Sequence, residues 1–349
     1  MNFGELAVLV PAQVDKLVRQ IGDTPLVPIP MVLDGKTYQV HLKLEGMNPT
    51  GSMKDRTGYA LIQDLEERGV LNEDAVVIES SSGNLGVALA LICKARGYRL
   101  VVIADPKTTH ENIVKLRTLG AEVEIVDQPD EHGGYLLSRL KRVEELCQQY
   151  PNYVWPNQYV NTANPRIHYT HTGPEIYKQM QEQVDAVFVP VSTGGTLAGI
   201  GCFFREVSPA TRVIGVDAVG SVVFSTCAAP RKLTGIGSSR PSSFISSDLY
   251  DAHILVGDLD AFAFCHALYA ANGIKAGGSS GAVLAACARY LKAHPELINI
   301  VCVCADRGEN YTSTIFNEYW LQQIFQHNVE TLEAAQVILP GSAVVSNHL

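Results

Sequence analysis

The 349 residues predict an α/β fold, with parallel sheets flanked by helices and spread over two domains. Three observations carry that reading. From about residue 75 to residue 304, short apolar runs alternate with helix-period runs, a βαβ rhythm whose crossovers make neighbouring strands parallel. Several helical runs stop at a glycine, as at Gly69, Gly97 and Gly120, the residue that best accepts the left-handed turn ending a helix. The length also exceeds what one hydrophobic core commonly fills.

Taken in order, residues 14–30 hold a short helix and then Ile21–Leu26. Val40–Glu45 alternates as a strand. Asn48–Arg56 makes a turn through Pro49, Gly51 and Ser52, with Ser52 as expected N-cap. A helix marked by Tyr59, Ala60, Leu61 and Leu65 follows. Strand 75–79, helix 85–96, strand 99–104, helix 110–119, strand 122–126 and helix 135–150 come next. A second series holds a helix near 173–182, strand 185–191, helix 196–206 and strand 212–217. A Gly/Ser-rich stretch, 219–247, leads to strand 252–256, helices 259–272 and 281–293, and strand 299–304. This places a smaller domain at 46–160, a larger one at 161–330 and a loosely held tail at 331–349.

Composition narrows the function classes. Apolar content of 46% and charged content of 18% are those of a globular protein. A net charge of −9, with no basic block, disfavours nucleic acid and anionic membrane surfaces as partners. No apolar run approaches the roughly 20 residues of a spanning helix, and Leu6–Val10 ends at Pro11 without a signal-peptide pattern. The eight cysteines are scattered without CxxC spacing, and Cys302 and Cys304 sit in an apolar strand. A reduced, cytoplasmic setting without a structural metal is expected.

Lys54 is oddly placed. It falls in the first turn of a helix, where the backbone dipole disfavours a cation. That field and burial both lower an amine pKa from about 10.4. A lysine so perturbed can attack an aldehyde and form a Schiff base. A solvated surface lysine is the bland alternative. Three further junctions between strand and helix carry small hydroxyls and glycine: Ser80-Ser81-Ser82-Gly83-Asn84, Ser192-Thr193-Gly194-Gly195-Thr196 and Gly277-Gly278-Ser279-Ser280-Gly281. The first suits a carboxylate and the second a phosphate, because backbone N–H groups there open a helix. Each alone is also explained as a helix cap. No G-x-G-x-x-G fingerprint follows the first βαβ strand.

Together, Gly51-Ser52-Met53-Lys54-Asp55-Arg56 and the three loops resemble, in kind and order, the pyridoxal-phosphate (PLP) enzymes of the cysteine synthase and cystathionine β-synthase family. The resemblance runs over about residues 15–320. It continues through Asn157-Gln158-Tyr159, Asn164–His168, Thr172–Glu175, Gly235-Ile236-Gly237 and Arg307–Tyr311. It implies the two-domain PLP fold type II, like tryptophan synthase β, with the smaller domain mobile and residues 1–45 joined to the larger one. It also implies a homodimer. By the same resemblance Lys54 holds the cofactor, and Asn84 contacts its 3-oxygen. Residues Ser192, Thr193, Gly194, Gly195 and Thr196 hold its phosphate, and Ser279 faces the pyridine nitrogen. Ser81, Ser82 and Gln158 take the substrate α-carboxylate. A neutral hydroxyl opposite the ring nitrogen makes PLP a weaker electron sink, which suits β-elimination and replacement.

Several residues depart from ordinary cysteine synthases: Tyr159 for phenylalanine, Ser192 for glycine, Arg240 after Gly235–Ser239, Asp105-Pro106-Lys107, and Gln128–Tyr135 leading to Arg139. They resemble the subgroup that makes N-(2-amino-2-carboxyethyl)-L-glutamate, a 2,3-diaminopropionate precursor for siderophores and antibiotics, from O-phospho-L-serine and L-glutamate. Thr234 and Gly195-Thr196 depart from that subgroup. Arginine forks match carboxylates and phosphates, which nominates Arg139 and Arg240, with Tyr159 and Ser192 as added donors. Two alternatives stay open: a cysteine synthase using sulfide with O-acetyl- or O-phosphoserine, and a non-catalytic PLP-binding or scaffold protein.

Overall fold

The computed structural model describes residues 11–130 and 134–325. The expected tail at 331–349 lies outside the described residues. The chain divides into two compact units. One runs to Gly22 and from Asn48 to Ile167; the other runs from Asp23 to Met47 and from His168 onward.

The first unit is built on a four-stranded parallel sheet. Its strands are β3 (Val76–Ser80), β4 (Arg99–Ala104), β5 (Glu122–Ile125) and β6 (Tyr153–Val154), in the order β5-β4-β3-β6. Helices α1 (Pro11–Val18), α2 (Lys54–Glu67), α3 (Asn84–Arg96), α4 (His110–Thr118), α5 (Leu136–Gln149) and α6 (Ala163–Ile167) complete it. Strand β3 is buried along its whole length, so Val76-Val77-Ile78 reads as an apolar run rather than an alternation. The chain walks outward from β3 to β5, then returns to the other side of β3 at β6. The gap between β3 and β6 is therefore a topological switch point, where α/β sheets present ligand sites at their carboxyl edge.

Two boundary expectations need correction. Residues 11–22 and 161–167 belong to the first unit, not with the later half of the chain. Val14, Val18, Ala163 and Ile167 bury their side chains in the same apolar cluster as Leu61, Leu89 and Val102, and a helix follows the surface that covers its apolar stripe. Residues 46–47, by contrast, go with the second unit.

The second unit holds a six-stranded sheet in the order β1-β2-β10-β7-β8-β9. Its strands are β1 (Leu26–Leu33), β2 (Lys36–Leu44), β7 (Ala186–Pro190), β8 (Arg212–Ala218), β9 (Ala252–Val256) and β10 (Ile300–Cys304). Helices α7 (Gly173–Gln179), α8 (Gly195–Val207), α9 (Asp258–Asn272), α10 (Gly278–Ala293) and α11 (Glu318–Phe325) flank it. The sheet is not wholly parallel: β1 pairs antiparallel with β2 through a tight Asp34-Gly35 turn, both residues at positive φ. The sequence hid β1 behind Pro28 and Pro30, which an edge strand tolerates because its outward face needs no N–H. The chain goes β7-β8-β9 and then back to β10 on the other side of β7. That makes a second switch point, between β7 and β10.

Glu175, in the string Thr172–Glu175, has a structural task. Its Oε2 lies 2.7 Å from the fully buried Lys43 amine, which also donates to Thr24 O at 2.7 Å and Gln179 Oε1 at 2.9 Å. Removing one partner of a buried pair leaves a charge without compensation. Glu175→Ala is expected to destabilise the protein by about 3 kcal/mol, read as a lower urea midpoint. A midpoint equal to wild type would show that the remaining oxygens suffice.

Candidate active site

The lysine turn opens α2. Lys54 is the first residue of that helix and Met53, not Ser52, occupies the N-cap position. Ser52 caps one step early: its Oγ accepts the Lys54 N–H at 3.2 Å. Asp55 is buried and folds back on the turn, accepting the Thr50 N–H at 2.7 Å and the Thr50 hydroxyl. The Lys54 side chain keeps part of its surface, but protein surrounds its amine. Desolvation lowers the amine pKa to about 8, against a smaller opposing effect from Glu79. A substantial neutral fraction is therefore present near neutral pH.

Around it, at the carboxyl edge of β3, stands the first glycine-serine loop. Ser81 Oγ accepts the N–H groups of Gly83 at 3.3 Å and Gly86 at 2.9 Å, and its own N–H donates to Ile103 O at 3.0 Å. Ser81 thus shapes the loop and holds the first turn of α3. Ser82 is half-buried at the loop tip, and Asn84, also half-buried, is the first residue of α3. Gln158 is buried, with Nε2 donating to Ser80 O at 3.4 Å and its carbonyl accepting from Asn164 Nδ2 at 2.9 Å. Asn164 Oδ1 in turn accepts from Thr57, one turn after Lys54, at 3.3 Å. Tyr159 is half-buried beside it, its N–H on Asn157 Oδ1 at 3.3 Å.

Arg139 is not the solvated helix arginine that its position allowed. It is buried, and its Nε lies 3.1 Å from Asp105 Oδ2 at the end of β4, an ion pair out of hydrogen-bond alignment. Nε and Nη1 have no hydrogen-bond partner among the described residues. Residues 131–133, within the Gln128–Tyr135 stretch, lie outside those described.

In the second unit, the phosphate-type loop joins β7 to α8. Gly194 is the N-cap at φ +92, a left-handed turn, and a side chain there would collide with Ser242 Oγ. Ser192 Oγ donates to Gly237 O at 3.2 Å, and the Gly237 N–H donates to Val191 O at 2.7 Å. Thr193 is anchored through its carbonyl by Ser242 Oγ at 2.7 Å. Thr196 Oγ1 lies 3.2 Å from Nε2 of buried His168, whose Nδ1 lies 2.9 Å from Thr172 Oγ1. Gly195 and Thr196 open α8, at the end of a helix that favours anions. Ser279 is buried in the first turn of α10. A bridge between Ala276 and Arg307 ties the stretch before it to the carboxyl end of β10, so both loops share the edge of the β7/β10 switch point. Arg240 is half-buried, its N–H on Ser238 Oγ at 3.1 Å.

These donors suit PLP. The 192–196 loop offers hydroxyls and helix-opening N–H groups without a carboxylate, the set a phosphate dianion requires. Lys54 offers a desolvated amine for an aldehyde. Comparison with known proteins agrees. Residues 17–306 match the model of the pyridoxal-phosphate-dependent enzyme family. The chain belongs to that family.

Two relatives, from Ralstonia nicotianae and Cupriavidus metallidurans, are named N-(2-amino-2-carboxyethyl)-L-glutamate synthase. The first is 41% identical over 88% of this chain and 91% of its own length. The second is 40% identical over 89% and 92%. A crystal structure of a hydrogen sulfide-producing enzyme from Fusobacterium nucleatum superposes with a TM-score of 0.79, at 32% identity, over 84% of this chain and 98% of its own. The protein is thus a PLP-dependent transferase of the cysteine synthase-like fold type II. No helix among the described residues is long and apolar enough to cross a membrane.

The sequence missed Glu79, Asp105 and His168 as parts of the site. Glu79 had a legible signal: a carboxylate closing the apolar run Val76-Val77-Ile78, directly ahead of the serine loop. His168 lay in a motif string but had no assigned partner.

With an amine pKa near 8, attachment of PLP to the apoprotein is expected to quicken about tenfold per pH unit below 8 and to level off above it, since only the neutral amine attacks. Lys54→Ala should abolish the visible cofactor band and borohydride labelling. A flat pH dependence, or label on another lysine, contradicts the assignment.

Proposed function

We propose that the protein joins O-phospho-L-serine to L-glutamate by β-replacement, giving N-(2-amino-2-carboxyethyl)-L-glutamate and phosphate. The observation that carries this choice is Arg139, a buried guanidinium whose Nε and Nη1 have no hydrogen-bond acceptor among the described residues. A buried donor without an aligned acceptor is costly even beside a carboxylate such as Asp105, and a carboxylate of the second substrate would supply one. Sulfide has no carboxylate to offer. The names of the two relatives at 40–41% identity support the same reading.

When bound, PLP acts as an electron sink for the substrate α-carbon. The protein's residues would do the rest. Gln158 and the backbone and hydroxyl donors of Ser82–Asn84 hold the α-carboxylate. Asn84 meets the cofactor's 3-oxygen. The 192–196 loop holds its phosphate, with Thr196 steadied by His168, and Ser279 meets the ring nitrogen. The Lys54 amine takes the α-proton while the Cβ–O bond to phosphate breaks. The glutamate nitrogen, having passed a proton to the departing phosphate, then bonds to Cβ, and Lys54 returns the proton to the α-carbon. Arg139, Tyr159, Ser192 and Arg240 receive the carboxylates of the second substrate or the leaving phosphate. The same reading includes a homodimer in the cytoplasm and a product used as a diaminopropionate precursor, for example for siderophores.

Mass analysis after mixing holoprotein, phosphoserine and glutamate should find the condensed product; cysteine formed from sulfide, with no glutamate adduct, would refute the reading. Arg139→Lys keeps the charge but loses the fork. It should raise the KM for glutamate about tenfold or more, the scale of a hydrogen bond to a charged group, with PLP absorbance retained. Arg240→Ala should likewise weaken capture of one anionic substrate. Unchanged kinetics in both variants would remove the anion-clamp assignment.

A further inference from the structure

We propose that Glu79 is a positioning residue for the substrate α-carboxylate, its buried carboxylate tying the Ser80–Asn84 loop to the Trp155–Gln158 segment. The inference rests on the reading that this loop and Gln158 take that carboxylate. Glu79 is the penultimate residue of β3 and is fully buried. Its Oε1 accepts the Ser80 N–H at 2.9 Å and the Trp155 indole N–H at 2.9 Å. Its Oε2 accepts the Gln158 N–H at 3.2 Å. One side chain therefore fastens both donor segments across the β3/β6 switch point. A strand needing only burial there would be served as well by an apolar residue.

The surroundings tune this acceptor. Burial pushes the Glu79 carboxyl up to about 7, with the indole, the two backbone N–H groups and Arg139 pulling it back. The ionisable groups facing it are Lys54 from α2, and Arg139 and Cys147 from α5. Above about pH 7 the carboxylate can accept all three N–H groups. As pH falls through that value it gains a proton and loses acceptor capacity. Capture of an amino acid should therefore weaken on the acid side of 7, while the covalently held cofactor stays.

The test uses the PLP-loaded full chain. L-Serine, O-acetyl-L-serine and O-phospho-L-serine are each titrated against the visible cofactor spectrum from pH 6 to 8.5, in wild type and in Glu79→Gln. The amide keeps the volume but turns an NH2 towards N–H donors. Expected is full cofactor content, a half-saturating amino-acid concentration raised about tenfold or more, and loss of the wild-type acid limb near 7. Half-saturation within about twofold of wild type, or an acid limb unchanged by the substitution, overturns the proposal.

Should Glu79→Gln not fold, Trp155→Phe decides. It removes an N–H that favours the charged carboxylate, so the acid limb moves to higher pH, and an unmoved limb overturns the assignment. If wild type captures serine or O-acetylserine but not phosphoserine, the donor proposed above falls and Glu79 is judged on the ligand that binds. If wild type captures none of the three, both fall.

Discussion

The amine of Lys54 is drawn towards neutrality by burial at the start of α2 and held back by the charge of Glu79, and the first unit is arranged around that opposition. A lysine fully exposed to water would remain protonated and inert towards an aldehyde. A lysine buried without a nearby carboxylate would be driven further towards the neutral form. A pKa of about 8 is compatible with both tasks proposed for it, aldehyde attack and proton transfer. The turn that creates it is locked by Asp55 folding back on Thr50 and by Ser52 receiving the first helical N–H.

Topology explains where the remaining groups stand. In each unit the chain steps outward along parallel strands and then doubles back past its starting strand. The carboxyl edge beside that starting strand is left open by the diverging crossovers. In the first unit the opening gathers the serine loop, Gln158, Glu79 and the Arg139–Asp105 pair. In the second it gathers the 192–196 loop and, through the Ala276–Arg307 bridge, the stretch leading to Ser279. Helices open at both edges, where backbone N–H groups favour anions.

Family membership accounts for the cofactor and the transferase class, whereas the proposed choice of substrates rests on a few side chains. Arg139 illustrates the difference. Its neighbours Asp105 and Glu79 are both carboxylates that compensate its burial, yet Nε and Nη1 are not aligned on an acceptor among the described residues. A guanidinium held this way is fixed in place while keeping capacity for a further acceptor. Ser192 differs, because its hydroxyl already reaches Gly237 O and would have to share or exchange that bond.

Residue order alone determined the α/β class, the strand-and-helix rhythm, the placement of Lys54 at a helix start and the three anion-type loops. Such features are local: apolar period, glycine stops and hydroxyl clusters at junctions report backbone conformation directly. Tertiary structure alone decided that Ser81 serves the loop itself and that residues 11–22 return to the first unit. It also decided that Pro28 and Pro30 lie in an edge strand, and that Glu79 reaches Trp155 and Gln158 nearly 80 positions along the chain. Each of these depends on which distant segment covers a given side chain. Burial and long-range partners set both its hydrogen bonds and its charge, and neither is encoded in the spacing of its neighbours.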